Sequence, residues 1–170
     1  MKEATISNLN ARGEVIGKDL SELSDLKDIE NLDLKGFEIT DDIINVLNGL
    51  PNLMYLNLYS CNSSKKINVD LRNLKKIVID NCKEFDLSGI EFPENVLIVG
   101  CGVVDISKLL LENNVKDLSI NSSEIINVTF LEKAKGLKRL NVDGSNLDNE
   151  EILKKLKIKV SNEFEYHPIG

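Results

Sequence analysis

The sequence has no tryptophan, one histidine, three prolines and three cysteines in 170 residues, and aromatic residues make up only 5% of it. Each shortage excludes something. Three cysteines are an odd number, with no C-x₂-C pair among them, so neither a disulfide framework nor a zinc site is spelled out. Cys61, Cys82 and Cys101 are expected to be reduced, buried thiols. The single histidine, His167, has no Ser, Cys and acid arrangement around it and reads as an exposed residue. No stretch approaches the roughly 18 apolar residues of a membrane helix. The first 30 residues contain no apolar signal-peptide region, so a cytoplasmic location is expected. Basic residues are also short, 21 against 28 acidic, for a net charge of −7. That balance argues against a nucleic-acid partner, because phosphate binding rests on clustered Lys and Arg. With no phosphate-binding Gly loop, nucleophile elbow or metal-spaced acid cluster, the expectation is a protein without enzymatic activity, cofactor or metal.

What is abundant is aliphatic. Leu, Ile, Val and Phe together make 60 of the 170 residues, well above the roughly 20% below which charged chains tend to stay unfolded. These residues recur in one pattern: apolar, two residues, apolar, one residue, apolar, two residues, then a small or semi-polar residue. It occurs at Ile29-Leu32-Leu34-Phe37, Leu53-Leu56-Leu58-Cys61 and Leu74-Ile77-Ile79-Cys82. It returns at Pro93-Val96-Ile98-Cys101, Val115-Leu118-Ile120-Ser123 and Leu137-Leu140-Val142-Ser145. Degenerate copies bracket these six at Met1-Ala4-Ile6-Leu9 and Lys155-Ile158-Val160-Glu163. The pair spaced by two has the period of a strand with both side chains on one face. Upstream, apolar residues fall at every third position, as in Ile44, Leu47, Leu50 and Leu53, which suits a tight helical or 3₁₀ return leg. One such unit cannot bury its apolar face alone, whereas a stack of eight buries a continuous core. Thr40 before Asp41 and Asp42, with Gly49 and Pro51 at the far end, predicts the longest helix between them.

This pattern resembles the leucine-rich repeat family over essentially the whole chain. The spacing of about 22 residues resembles the bacterial internalin type, while cysteine at the ninth position of three units resembles the cysteine-containing subclass. The sequence departs from the family at that ninth position, where Asn is usual. The resemblance implies an α/β solenoid, a right-handed superhelix with a parallel sheet on its concave face and short helices or 3₁₀ turns on its convex face. A single domain is expected: residues 1–28 as an N-terminal cap coil, 29–154 as six repeats, and 155–170 as a C-terminal cap strand and tail. Its Lys, Ile and Asn richness suits a low-GC bacterial source.

The register also says which side chains face outward. Among the concave positions the apolar residues gather in adjacent units as Tyr55, Tyr59, Val78, Leu97 and Val99, bordered by Asp33, Asp80, Asp117 and Asp143. An apolar centre with a polar rim is the anatomy of a protein-binding surface. The leading expectation is therefore a module that binds a partner protein there, with the tyrosines as anchors and the acids orienting the partner. Two alternatives stand beside it. The acidic face could neutralise a basic enzyme, in the manner of an inhibitor or immunity protein. Alternatively, the patch could be a homodimer seam, or be covered by the chain's own residues 161–170. Residues 1–50 hold 11 acidic and 5 basic side chains, so a basic partner would be steered toward that end.

Overall fold

The computed structural model describes residues 2–14, 16–17, 27–63, 65–109 and 114–161. Its main feature is an eight-stranded parallel sheet. The strands are β1 (Glu3–Ser7), β2 (Asn31–Lys35), β3 (Tyr55–Tyr59), β5 (Lys76–Asp80), β7 (Asn95–Val99), β9 (Asp117–Asn121), β11 (Arg139–Asn141) and β13 (Lys159–Ser161). They lie side by side in chain order. The register matches the repeat: Leu32, Leu56, Ile77, Val96, Leu118 and Leu140 are successive partners, as are Leu34, Leu58, Ile79, Ile98 and Ile120. All eleven are buried. A parallel neighbour one period away presents the same apolar position, so like stacks on like.

The return legs carry the other half of the core. In the second unit the leg is α1 (Asp41–Asn48), which buries Ile43, Ile44 and Leu47 and has Asp41 and Asp42 in its first turn. Thr40 stands at its start in extended conformation without a side-chain capping bond, and Gly49 ends it at φ −83 rather than in the left-handed form expected of a helix-stopping glycine. Later legs tighten to 3₁₀ turns at Leu87–Gly89, Val128–Lys133 and Glu150–Lys155, with a short helix α2 (Ile106–Leu109) between them. Short strands also pair behind the main sheet, which the repeat pattern alone did not predict. β8 (Val103–Asp105), β10 (Glu124–Ile126) and β12 (Asn146–Leu147) form one small parallel sheet, and β4 (Val69–Asp70) and β6 (Ile90–Glu91) another. Each unit carrying β8, β10 or β12 is thus strand, turn, short strand and helical leg, whereas in the unit of β5 the 3₁₀ turn precedes the short strand β6. The architecture is α/β, mostly parallel sheet with few short helices.

One backbone device recurs after the strands. Gly36, Ser60, Asn81, Gly100, Ser122 and Gly144 all have positive φ, between 49 and 72. Each immediately precedes a repeat's ninth residue, and the left-handed step turns that residue inward. Glycine carries this conformation without strain, and Asn more easily than most residues. At Gly36 packing adds a second demand, since a Cβ there would lie 2.3 Å from the Leu9 side chain.

The last unit departs from the sequence reading. Leu140 pairs with Val160, not with Ile158, so the outward residue beside Arg139 is Lys159 rather than Lys157. Path length explains the shift. From Ile125 on β10 to Leu140 on β11 the chain runs 15 residues, whereas from Leu147, the partner of Ile125 on β12, Ile158 would be only 11 residues on and Val160 is 13. The return leg with buried Ile152 needs the longer route. The parts of the expected cap coil at Leu20, Leu23 and Leu26, and the tail with Glu163, Glu165 and His167, lie outside the described residues. No helix among the described residues is long and apolar enough to cross a membrane.

Candidate functional site

Alternation along each main strand sends one set of side chains into the core and the other to the opposite face of the sheet. Register pairing then fixes the neighbours on that outer face. Val78 lies between Asn57 and Leu97, Tyr55 between Asn31 and Lys76, Tyr59 between Lys35 and Asp80, and Val99 between Asp80 and Asn121. Tyr55, Val78, Leu97 and Val99 are half-buried, Tyr59 is 42% exposed, and none of the five belongs to the core cluster. The expected apolar residues are therefore brought together across β3, β5 and β7. Lys75 extends over the Tyr55 ring, 6.0 Å from its centre.

The four expected acids are not equivalent. Asp33 accepts from Asn57 Nδ2 at 2.5 Å and from Thr5 Oγ1 at 3.1 Å, so its carboxylate ties three strands together. Asp117 is held by the Arg139 guanidinium, with Nη2 donating to Oδ2 at 2.8 Å. That hydrogen bond and charge keep its carboxyl below the ordinary carboxylate range. Asp80 has no side-chain hydrogen bond or ion pair among the described residues, and burial pushes its pKa upward. Asp143 lies beyond the end of β11, its backbone N–H bonded to Asn141 Oδ1. Only Asp80 both borders the apolar strip and remains uncompensated.

The outer face also contains a shallow groove of about 760 Å³ across β5 to β13. Tyr55, Leu97, Ser119 and Asn141 lie along it, and Arg72, Lys75, Lys76, Arg139 and Lys159 supply positive charge against Glu94 and Asp117. Both acids are engaged already, Glu94 by Lys116 and Asp117 by Arg139. Arg72 is paired with Asp70 at 2.7 Å and Glu91 at 2.9 Å. Lys76 is half-buried, and its burial lowers the ammonium pKa. Asn121 also lines the groove; it is 3% exposed, and its Oδ1 is the buried side-chain polar atom without a hydrogen-bond partner among the described residues. Reading the sequence for apolar outliers missed this basic side. The signal was present in the outward column Lys76, Asn95, Asp117, Arg139, in which the corrected register puts Lys159 in place of Lys157.

The three thiols form part of a hydrogen-bonded column. Cys82 Sγ accepts from the Cys61 N–H at 3.3 Å, Ser123 Oγ from the Cys101 N–H at 3.3 Å, and Ser145 Oγ from the Ser123 N–H at 3.1 Å. Each also donates to a carbonyl: Cys61 to Leu34, Cys82 to Leu58, Cys101 to Ile79 and Ser145 to Ile120. The column is an interior ladder that satisfies backbone groups at the turns. Hydrogen bonding with Cys101 and Cys61, followed by burial, pushes the Cys82 thiol far above the ordinary range and holds it neutral. Among the described residues no group of three or more His, Cys, Asp and Glu is placed to hold a metal ion.

No family model matches the chain, and neither a curated protein nor a solved structure shows significant similarity to it. The class defined by the fold is accordingly the coarse one, an α/β chain on a mostly parallel sheet whose outer face joins an apolar strip to a charged groove.

Proposed function

We propose that this chain is a leucine-rich repeat protein, a right-handed solenoid with the eight-stranded sheet on its concave side, and that it binds a partner protein on that face without catalysing a reaction. The observation that carries the reading is the contiguity of Tyr55, Tyr59, Val78, Leu97 and Val99 on three neighbouring strands, outside the core. Exposing a Leu or Val rather than burying it forgoes roughly 1.5 to 3 kcal/mol each. A contiguous patch of that kind on one face is the usual mark of an interaction surface. The periodic register, the left-handed step before each ninth residue and the interior Cys and Ser ladder support the repeat assignment.

The test is capture of a partner from lysate by the intact protein, repeated with Tyr59→Ala and Val99→Asp after circular dichroism shows both variants folded. Loss of one common partner in both variants supports the site. Undiminished capture by both removes it. The homodimer alternative uses the same strip and predicts a concentration-dependent doubling of mass in light scattering, abolished by Val99→Asp. The inhibitor alternative would draw on the acidic β1 to β3 end.

A further inference from the structure

The net charge of −7 suggests a basic partner, yet the groove has the opposite sign. Over its lining five basic side chains face two acidic ones, and both acids are neutralised inside the molecule. Of the five, Lys75, Lys76 and Lys159 have no carboxylate within ion-pair distance among the described residues. Lys76 is the most telling, because keeping a half-buried ammonium without a counter-ion is costly. A second observation is independent of charge. Asn121 Oδ1 is a buried acceptor on the groove wall with nothing donating to it among the described residues. A buried acceptor left without a donor is costly, and an N–H brought to it by a shift of the Asn121 side chain would lower that cost.

We propose that the groove takes an extended acidic segment of a partner protein, its carboxylates on Lys76 and Lys159, an apolar side chain on Tyr55 and Leu97, and a backbone N–H toward Asn121. This deepens the reading above and rests on it: the same outer face, with the sign of the partner now specified. A peptide fits better than a nucleic acid. The phosphates of a nucleic-acid backbone are acceptors only, so they could neutralise the lysines but not satisfy Asn121. Three lysines without a carboxylate partner among the described residues also make a small footprint for a polyanion, in a chain whose other charge repels one.

Selection from a random 12-residue peptide display library on the full-length protein tests this. The expected winners carry more Asp and Glu than Lys and Arg and include an aromatic or aliphatic residue. Lys76→Glu and, separately, the exposed Lys159→Glu should each weaken a winning peptide at least tenfold and shift selection toward neutral or basic peptides. Both variants are checked by circular dichroism, and Lys159→Glu serves alone if Lys76→Glu unfolds. Association of the winners should slow as salt rises from 50 to 300 mM. Basic or uncharged winners, winners unaffected by both charge reversals, or no enrichment would overturn the proposal. Tighter binding of a 12-nucleotide oligo-dT than of any winner would also overturn it. The two levels separate cleanly. Basic winners lost on Leu97→Asp sink only the sign of the partner, whereas winners indifferent to both Leu97→Asp and Tyr59→Ala sink the sheet face as the site.

Discussion

The hydroxyl of Ser123 serves two neighbours at once, accepting from the Cys101 N–H at 3.3 Å and donating to the Asn121 carbonyl at 3.0 Å. Removing it as Ser123→Ala leaves the buried Cys101 N–H unmet, while the Asn121 carbonyl keeps the Gly100 N–H, at a cost of about 1 to 3 kcal/mol. Cys82→Ser, by contrast, keeps both a donor and an acceptor in the column and should cost less. Urea unfolding midpoints compare the two, and an equal loss would mean that the column acts through packing alone. The surface pair of Asp117 and Arg139 behaves differently. Because its folded pKa is depressed, Asp117 contributes stability that is present above its unfolded value, near 3.8, and is lost as pH falls through the lower folded value. The Arg139 side chain is 65% exposed, so solvent screening keeps that contribution small. Arg139→Gln should therefore lower the melting temperature slightly at pH 7 and make it less sensitive to acid below pH 4. An unchanged acid profile in scanning calorimetry would count against the pair.

At the level of elements, Gly89 ends the 3₁₀ turn of Leu87–Gly89 against a neighbouring backbone. A Cβ there would lie 1.7 Å from the Ile67 carbonyl oxygen, too close for a flexible side chain to relieve. Gly89→Ala should destabilise by about 1 to 3 kcal/mol through forced displacement of the β4 and β6 pair. If its thermal midpoint matched that of the parent, this close approach would not be a constraint. The main strands were legible in the sequence because Leu32, Leu56, Ile77, Val96 and Leu118 repeat with a strand's alternation and return at nearly constant spacing. β8, β10 and β12 were not, since two or three residues such as Asn146 and Leu147 carry no period. β13 was misplaced because Ile158 and Val160 alternate equally well in either of two registers, and only the length of the preceding leg decides between them. On the outer face, the apolar strip could be read from residue type. The roles of Asp33 and Asp117 could not, because cross-strand partners lie more than 20 residues away in the chain.

On the scale of the whole molecule, each main strand pairs within its sheet only with the main strands before and after it among the described residues, so stability should follow nearest-neighbour coupling. Hydrogen exchange is predicted to be slowest in β2 to β7, flanked on both sides by full-length five-residue strands, and fastest in β13, whose three residues pair on one side only among the described residues. Uniform protection across the sheet would refute that gradient. Ile98→Ala, at a fully buried central position, should cost about 2 to 5 kcal/mol and lower protection on both sides of β7.

Agreement between strand order and chain order has a consequence for biosynthesis. As the polypeptide leaves the ribosome, each strand meets a partner already formed, and none must wait for a segment still untranslated. Growth is vectorial, with a single advancing edge that exposes one unit's apolar face at a time. A nascent chain whose first 121 residues have cleared the exit tunnel would thus carry a docked sheet ending at β9, measurable as protease resistance of its first six main strands while the last two are still missing or inside the tunnel.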